Sequence, residues 1–226
     1  MLTLVRHGQA GSRISYDDLS DTGREQAHAL GAWFQARDIR FDRVIAGGLY
    51  RQQKTAQEMI DGQSGVLIDP RWSEFDLDGV YAGIAPLLAE IDETFRAEYE
   101  QLQLEMHDPD SSAHRTWRGC DVTVVRAWIE GRFEFDGESF PAFAARVREA
   151  LNALPRGENI AVVTSATPIA LCMSFALDLV PPRVMQLAGA LRNASFTELD
   201  LRTDGVRLLS FNNVPHLAEP RLHTLR

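Results

Sequence analysis

Two cysteines in 226 residues are too few for a disulfide framework, and one of them, Cys172, lies in an apolar run as a small core residue would. No run of apolar residues reaches the length of about 18 that a membrane-spanning helix needs. A cleaved signal peptide is not expected, because the first strand pattern starts at Leu2, and the cytoplasm is the default compartment. Positive charge is short as well. The formal net charge is −9, with the acids spread along the chain, which argues against nucleic acid or an anionic membrane as partner. A local arginine cluster can still overrule that sign and take a small anion. Repeats and low-complexity linkers are also missing. What remains is a single domain, 45% hydrophobic and large enough for a sizeable core.

The chain opens on LTLVRHGQAG. Leu2 to Val5 read as a buried strand, which puts Arg6 and His7 at its carboxyl end, where open α/β sheets hold their ligands. Gly8 lets the backbone turn sharply or approach a ligand closely. Helix and strand patterns then alternate. Residues 20–37 carry a helical stripe capped by Ser20, 41–46 a short strand, 49–60 a second helix, and Gly65 to Asp69 a third strand. Apolar residues at 84, 87, 88, 91, 95, 99 and 102 predict one long amphipathic helix, with further helices at 124–129 and 140–154. Residues 159–164 (NIAVVT) form the clearest buried strand, and Thr167-Pro168 opens an apolar helix with proline in its first turn. The end of the chain predicts a hairpin turning at Asp204-Gly205. The fold class is α/β, a three-layer α/β/α sandwich with a mainly parallel sheet, helices on both faces, and a mostly helical insertion at about 77–137.

The segments LVRHG, LSDTGREQA, LYRQQKTA, ESFPAFAARV, AVVTSATPIA and LSFNNVPHL, in this order, resemble the histidine phosphatase superfamily, also called phosphoglycerate mutase-like. The resemblance implies that His7 is a nucleophile that becomes phosphorylated, with Arg6 and Arg51 binding the phosphate. It matches Glu74, in RWSEFD, to the acid that protonates the leaving oxygen, with Asp76 and Asp78 as rivals. The implied activity is that of a phosphohydrolase of the histidine acid phosphatase type, acting on a small phosphorylated substrate without cofactor or metal. A mutase fits less well, because the asparagine that mutases carry after RHG is missing.

Elementary chemistry agrees with these roles. Neutral imidazole is a competent nucleophile near pH 7, and a covalent intermediate splits one hard displacement into two. Phosphoryl transfer is catalysed mainly by positioning and positive charge, which two guanidiniums supply in bidentate form. One position departs from the pattern. Ser165-Ala166 stands where relatives read His-Gly, so a phosphate-binding donor is shortened to a hydroxyl, and Gly47-Gly48 stands where many relatives have serines. Slow or unusually tuned turnover follows, and the alternative is a phosphate-ligand binding or regulatory protein on the same fold with its chemistry disabled. Ser165 is not a hydrolase nucleophile, since VTSAT lacks both glycines of the G-x-S-x-G elbow.

Other constellations read as structural. His107, Asp108, Asp110 and His114 match no metal-site spacing and form a solvated loop. His216 has a structural place, Trp72, Trp117 and Trp128 belong to the core or a lid, and His28 lies at the surface.

Overall fold

The computed structural model describes residues 1–11, 17–60, 65–107 and 118–225. The chain divides into two compact units, Met1–Glu74 with Arg146–Arg226, and Phe75–Ala145. Among the described residues, six strands form one mixed sheet: β1 (Leu2–Arg6), β2 (Arg43–Ala46), β3 (Leu67–Ile68), β4 (Ile160–Thr164), β5 (Phe196–Arg202) and β6 (Gly205–Asn213). Their order is β3-β2-β4-β1-β5-β6. The first four run parallel, while β5 pairs antiparallel with both β1 and β6. Every residue of β1 and β4 is buried, which is why LTLVR and IAVVT read as nearly unbroken runs instead of alternating.

Eight helices accompany the sheet among the described residues: α1 (Asp21–Gln35), α2 (Tyr50–Met59), α3 (Leu77–Ile91), α4 (Glu93–His107), α5 (Gly119–Glu130), α6 (Phe140–Asn152), α7 (Ala166–Leu177) and α8 (Pro181–Ala190). The fold is α/β. Leu30 and Phe34 of α1, with Ala56 and Met59 of α2, pack on Val5, Val44, Ala46, Val163 and Phe196. Residues of the opposite parity, Leu4, Ile45 and Val162, are buried too, and α7 touches β1 and β6. Ser20 caps α1 by accepting from the Gly23 amide, as its sequence position implies. Both cysteines, Cys120 and Cys172, are free and buried.

Four sequence expectations need correction. The strand expected over Gly65 to Asp69 shrinks to Leu67–Ile68, both about half exposed, because β3 is the sheet edge and packs on one neighbour only. The long helix expected over 84–102 is two helices. Asp92 adopts an extended backbone (φ −136°, ψ 106°), ends α3, and accepts from the Phe95 amide at 3.0 Å to cap α4. The stripe continues through the break, since Ile84, Leu88, Phe95 and Leu102 are all buried, and that phase match hid the junction. The hairpin turns one residue early, on Thr203-Asp204, with Arg202 paired to Gly205. Finally, α8 occupies PPRVMQLAGA, a segment for which the sequence patterns give no element.

Candidate active site

The end of β1 is clamped by backbone bonds. The His7 amide donates to the Thr164 carbonyl at 2.8 Å, continuing the register that pairs Arg6 with Thr164. The His7 carbonyl accepts from the Ala194 amide at 3.2 Å and from Asn193 Nδ2 at 3.3 Å. The Gly8 amide donates to Thr55 Oγ1 at 3.0 Å, so α2 pins the turn that follows the histidine. Gly8 keeps a negative φ, and no ligand is needed to explain it. A Cβ there would lie 2.4 Å from the Gly23 carbonyl oxygen, so glycine lets the turn sit on the first turn of α1.

The His7 ring is buried, with Nδ1 2.7 Å from the Gly8 carbonyl oxygen. A carbonyl can only accept, so Nδ1 carries the hydrogen of the neutral ring and Nε2 keeps its lone pair. Arg51 Nε donates to that Nε2 at 3.3 Å. Burial, then the Arg51 charge, then the Arg6 charge push the imidazole well below its ordinary range, against the opposing pull of the Gly8 carbonyl. The ring is thus neutral, of fixed tautomer, and flanked by cations.

Both arginines are buried. Arg6 donates to the Leu191 carbonyl, the residue that closes α8, so the helix missed in the sequence positions this guanidinium. Arg51 lies in the first turn of α2, where the helix dipole disfavours a cation. Asp17 compensates. Its carboxylate accepts from Arg51 Nη1 at 2.8 Å and from the Tyr50 amide at 3.0 Å.

Ser165 follows Thr164 at the carboxyl end of β4 and is the N-cap of α7, with 1% of its surface exposed. Its hydroxyl makes no cap bond. It accepts instead from Gln52 Nε2 at 2.8 Å. Glu74 Oε2 takes the Thr167 amide at 3.1 Å, so a carboxylate rests on the N-terminus of α7, where an anion is favoured. The structure therefore brings His7 and Arg51 into contact, sets Arg6 beside them, and gathers Ser165 and Glu74 at the start of α7. The rivals to Glu74 lie in the other unit: Asp76 caps α3 by accepting from the Gly79 amide at 3.0 Å, and Asp78 sits in the first turn of that helix. Sequence reasoning missed Asp17, Gln52 and Asn193. The available signal for Gln52 was a bulky amide directly after Arg51, beside two glycines and a shortened residue 165.

His107 ends α4, and the rest of the expected loop, with Asp108, Asp110 and His114, lies outside the described residues, as does Trp117. Among the described residues no group of three or more His, Cys, Asp or Glu could hold a metal ion. No described helix is long and apolar enough to cross a membrane. Trp72 and Trp128 are buried, and His28 is exposed and 2.5 Å from Glu58.

Comparison with known proteins gives a consistent picture. The model of the histidine phosphatase superfamily, branch 1, matches residues 2–214. A 2,3-bisphosphoglycerate-dependent phosphoglycerate mutase of Mesorhizobium japonicum is 38% identical over 72 residues, 28% of this chain and 35% of the mutase. The chain thus matches about a third of that relative's length. Among solved structures, YhfR from Bacillus stearothermophilus superposes with a TM-score of 0.67 at 17% identity, covering 96% of this chain and 98% of YhfR. The alpha-ribazole phosphatase of Shigella flexneri gives 0.62 at 19% identity, covering 94% and 96%. At such identities these two structures establish the fold alone.

Proposed function

The chain belongs to the histidine phosphatase superfamily, and from that premise we propose that it is a phosphohydrolase working through a phosphohistidine on His7. The observation that carries this reading is the state of the His7 ring: Nδ1–H held by the Gly8 carbonyl, Nε2 unprotonated, and a guanidinium 3.3 Å from the nucleophilic nitrogen.

In the first step Nε2 attacks the phosphorus of a small phosphomonoester and the bond to the leaving oxygen breaks. Nδ1–H stays on the Gly8 carbonyl and stabilises the charge that develops on the ring. Arg51 exchanges its contact with Nε2 for a phosphoryl oxygen, and Arg6 adds the second guanidinium. Glu74 enters this step as the neutral carboxyl, delivers its proton to the leaving oxygen and becomes the carboxylate that the Thr167 amide stabilises. In the second step a water gives its proton to the Glu74 carboxylate, attacks phosphorus and releases inorganic phosphate, restoring neutral His7. A mutase would pass the phosphoryl group to a second hydroxyl instead of water.

A binding or regulatory role on the same fold is the second reading, favoured by serine at position 165 and by the carboxylate of Asp17 on Arg51. Hydrolysis of p-nitrophenyl phosphate separates them. The hydrolase reading expects release of inorganic phosphate that His7→Ala abolishes. Phosphate binding without any His7-dependent release would leave the binding role.

A further inference from the structure

Gln52 has no part in the steps above, although it is fully buried directly after Arg51. A primary amide removed from water costs free energy unless both its ends are paired. Its oxygen accepts from the Leu49 amide at 3.1 Å, and its nitrogen lies 3.4 Å from the Trp72 carbonyl oxygen and 2.8 Å from Ser165 Oγ. A backbone N–H only donates and a carbonyl only accepts, so these backbone partners fix which end of the amide is which. Gln52 therefore donates to Ser165. The hydroxyl uses a lone pair for that bond, and its own hydrogen meets no acceptor among the described residues.

Two further features fit the same arrangement. A Cβ on Gly47 would lie 2.1 Å from Gln52 Oε1 and 2.8 Å from the Trp72 carbonyl oxygen, so glycine there makes room for the amide. An N-cap serine normally turns its oxygen onto the second or third amide of the helix. Here Glu74 takes the Thr167 amide, which leaves the Ser165 hydroxyl to Gln52.

We infer that Gln52 is a positioning residue: by donating to Ser165 it holds that hydroxyl as a hydrogen-bond donor for a phosphoryl oxygen seated on His7. The inference rests on the phosphohydrolase reading of the same site. Arg51 and Gln52, consecutive on α2, thereby divide the work, one side chain reaching the nucleophile and the next orienting the donor at the end of β4.

A double-mutant cycle tests it. Ser165→Ala removes the donor and lowers kcat/KM about 100-fold, the effect of one lost transition-state hydrogen bond. Gln52→Met keeps the side chain's length, and loss of orientation alone lowers kcat/KM about 10-fold, mostly in kcat. On the Ser165→Ala background Gln52→Met adds less than about twofold, because the two residues act as a unit. Gln52→Glu keeps the shape but reverses the bond, turning the hydroxyl toward the carboxylate. Its loss matches that of Ser165→Ala at high pH and shrinks as the pH falls and the carboxyl gains a proton to donate, a profile that a merely structural role would not produce. The same cycle is read in the Kd of inorganic phosphate by calorimetry, which needs no turnover. If the hydrolase reading alone fails, His7-dependent turnover is missing while the cycle stays non-additive in phosphate binding. If this inference fails, turnover still requires His7 but the losses multiply, or Gln52→Met matches wild type. Should Gln52→Met not fold, the pH profile of Gln52→Glu decides, and a pH-independent loss overturns the inference.

Discussion

Gly8 and Gly23 meet backbone to backbone. A Cβ on Gly8 would lie 2.4 Å from the Gly23 carbonyl oxygen, and one on Gly23 would lie 2.2 Å from the Gln9 carbonyl oxygen. Neither clash involves the end of a flexible side chain, so an added methyl must move the turn that carries His7. Gly8→Ala should therefore cost about 1–3 kcal/mol, as overpacking does. At about 2–4 °C per kcal/mol for a chain of this size, the melting temperature falls by several degrees and turnover falls with it. Gly189→Ala, in α8 with open space around its Cβ, is the control and should be neutral or slightly stabilising. Equal melting temperatures for the two variants would contradict the close approach.

The histidines set a pH dependence. Burial pushes His216 down to about 4, and His7 is also held well below its ordinary range, by burial and the two arginines. The unfolded chain protonates these rings near pH 6.5, so between that value and the folded values it binds more protons. Stability is therefore full above about pH 6.5 and falls as the pH drops, by up to about 1.4 kcal/mol per pH unit for each ring. Urea midpoints at pH 7 and pH 5 check this: the difference should shrink in His216→Gln. An unchanged difference would mean that His216 titrates normally. In the same window the NMR signals of His7 should report a neutral ring with hydrogen on Nδ1 at pH 6.

Asp17 holds Arg51 while half exposed itself. A phosphate on His7 has to share Arg51 with that carboxylate. Asp17→Asn keeps an acceptor for the Tyr50 amide and removes the charge. Solvent reaches the pair through half-exposed Asp17 and screens it to about 1 kcal/mol, so inhibition by inorganic phosphate should tighten by up to about fivefold, more at low salt than at high. Weaker inhibition would show instead that Asp17 orients Arg51 for the ligand.

Much of this was legible in the sequence for physical reasons. β1 and β4 are buried on both faces, so their apolar runs stand out, and Arg6, His7 and Ser165 are placed by following those runs to their carboxyl ends. Ser20 announces α1 because a cap is a local device. What stayed hidden depends on partners distant in the chain. Asp17 and Tyr50, or Gln52 and Ser165, meet only after folding, and nothing local marks either pair. The close approach to Gly23 gave Gly8 a packing reason that the sequence could not separate from ligand approach. The break at Asp92 was concealed because the stripe keeps its phase on both sides. Serine at position 165 reads locally as a plain loss, since the bond it accepts from Gln52 forms only in the fold.

On the hydrolase reading, His7 Nε2 takes the phosphoryl group. The most direct measurement is mass analysis of the protein mixed with excess p-nitrophenyl phosphate, quenched within milliseconds in alkali. A single phosphate is predicted on the peptide containing His7, stable in base, lost in acid, and missing from His7→Ala. Release of product while the His7 peptide stays unmodified throughout the time course, or a base-stable phosphate on any other residue, would contradict the account.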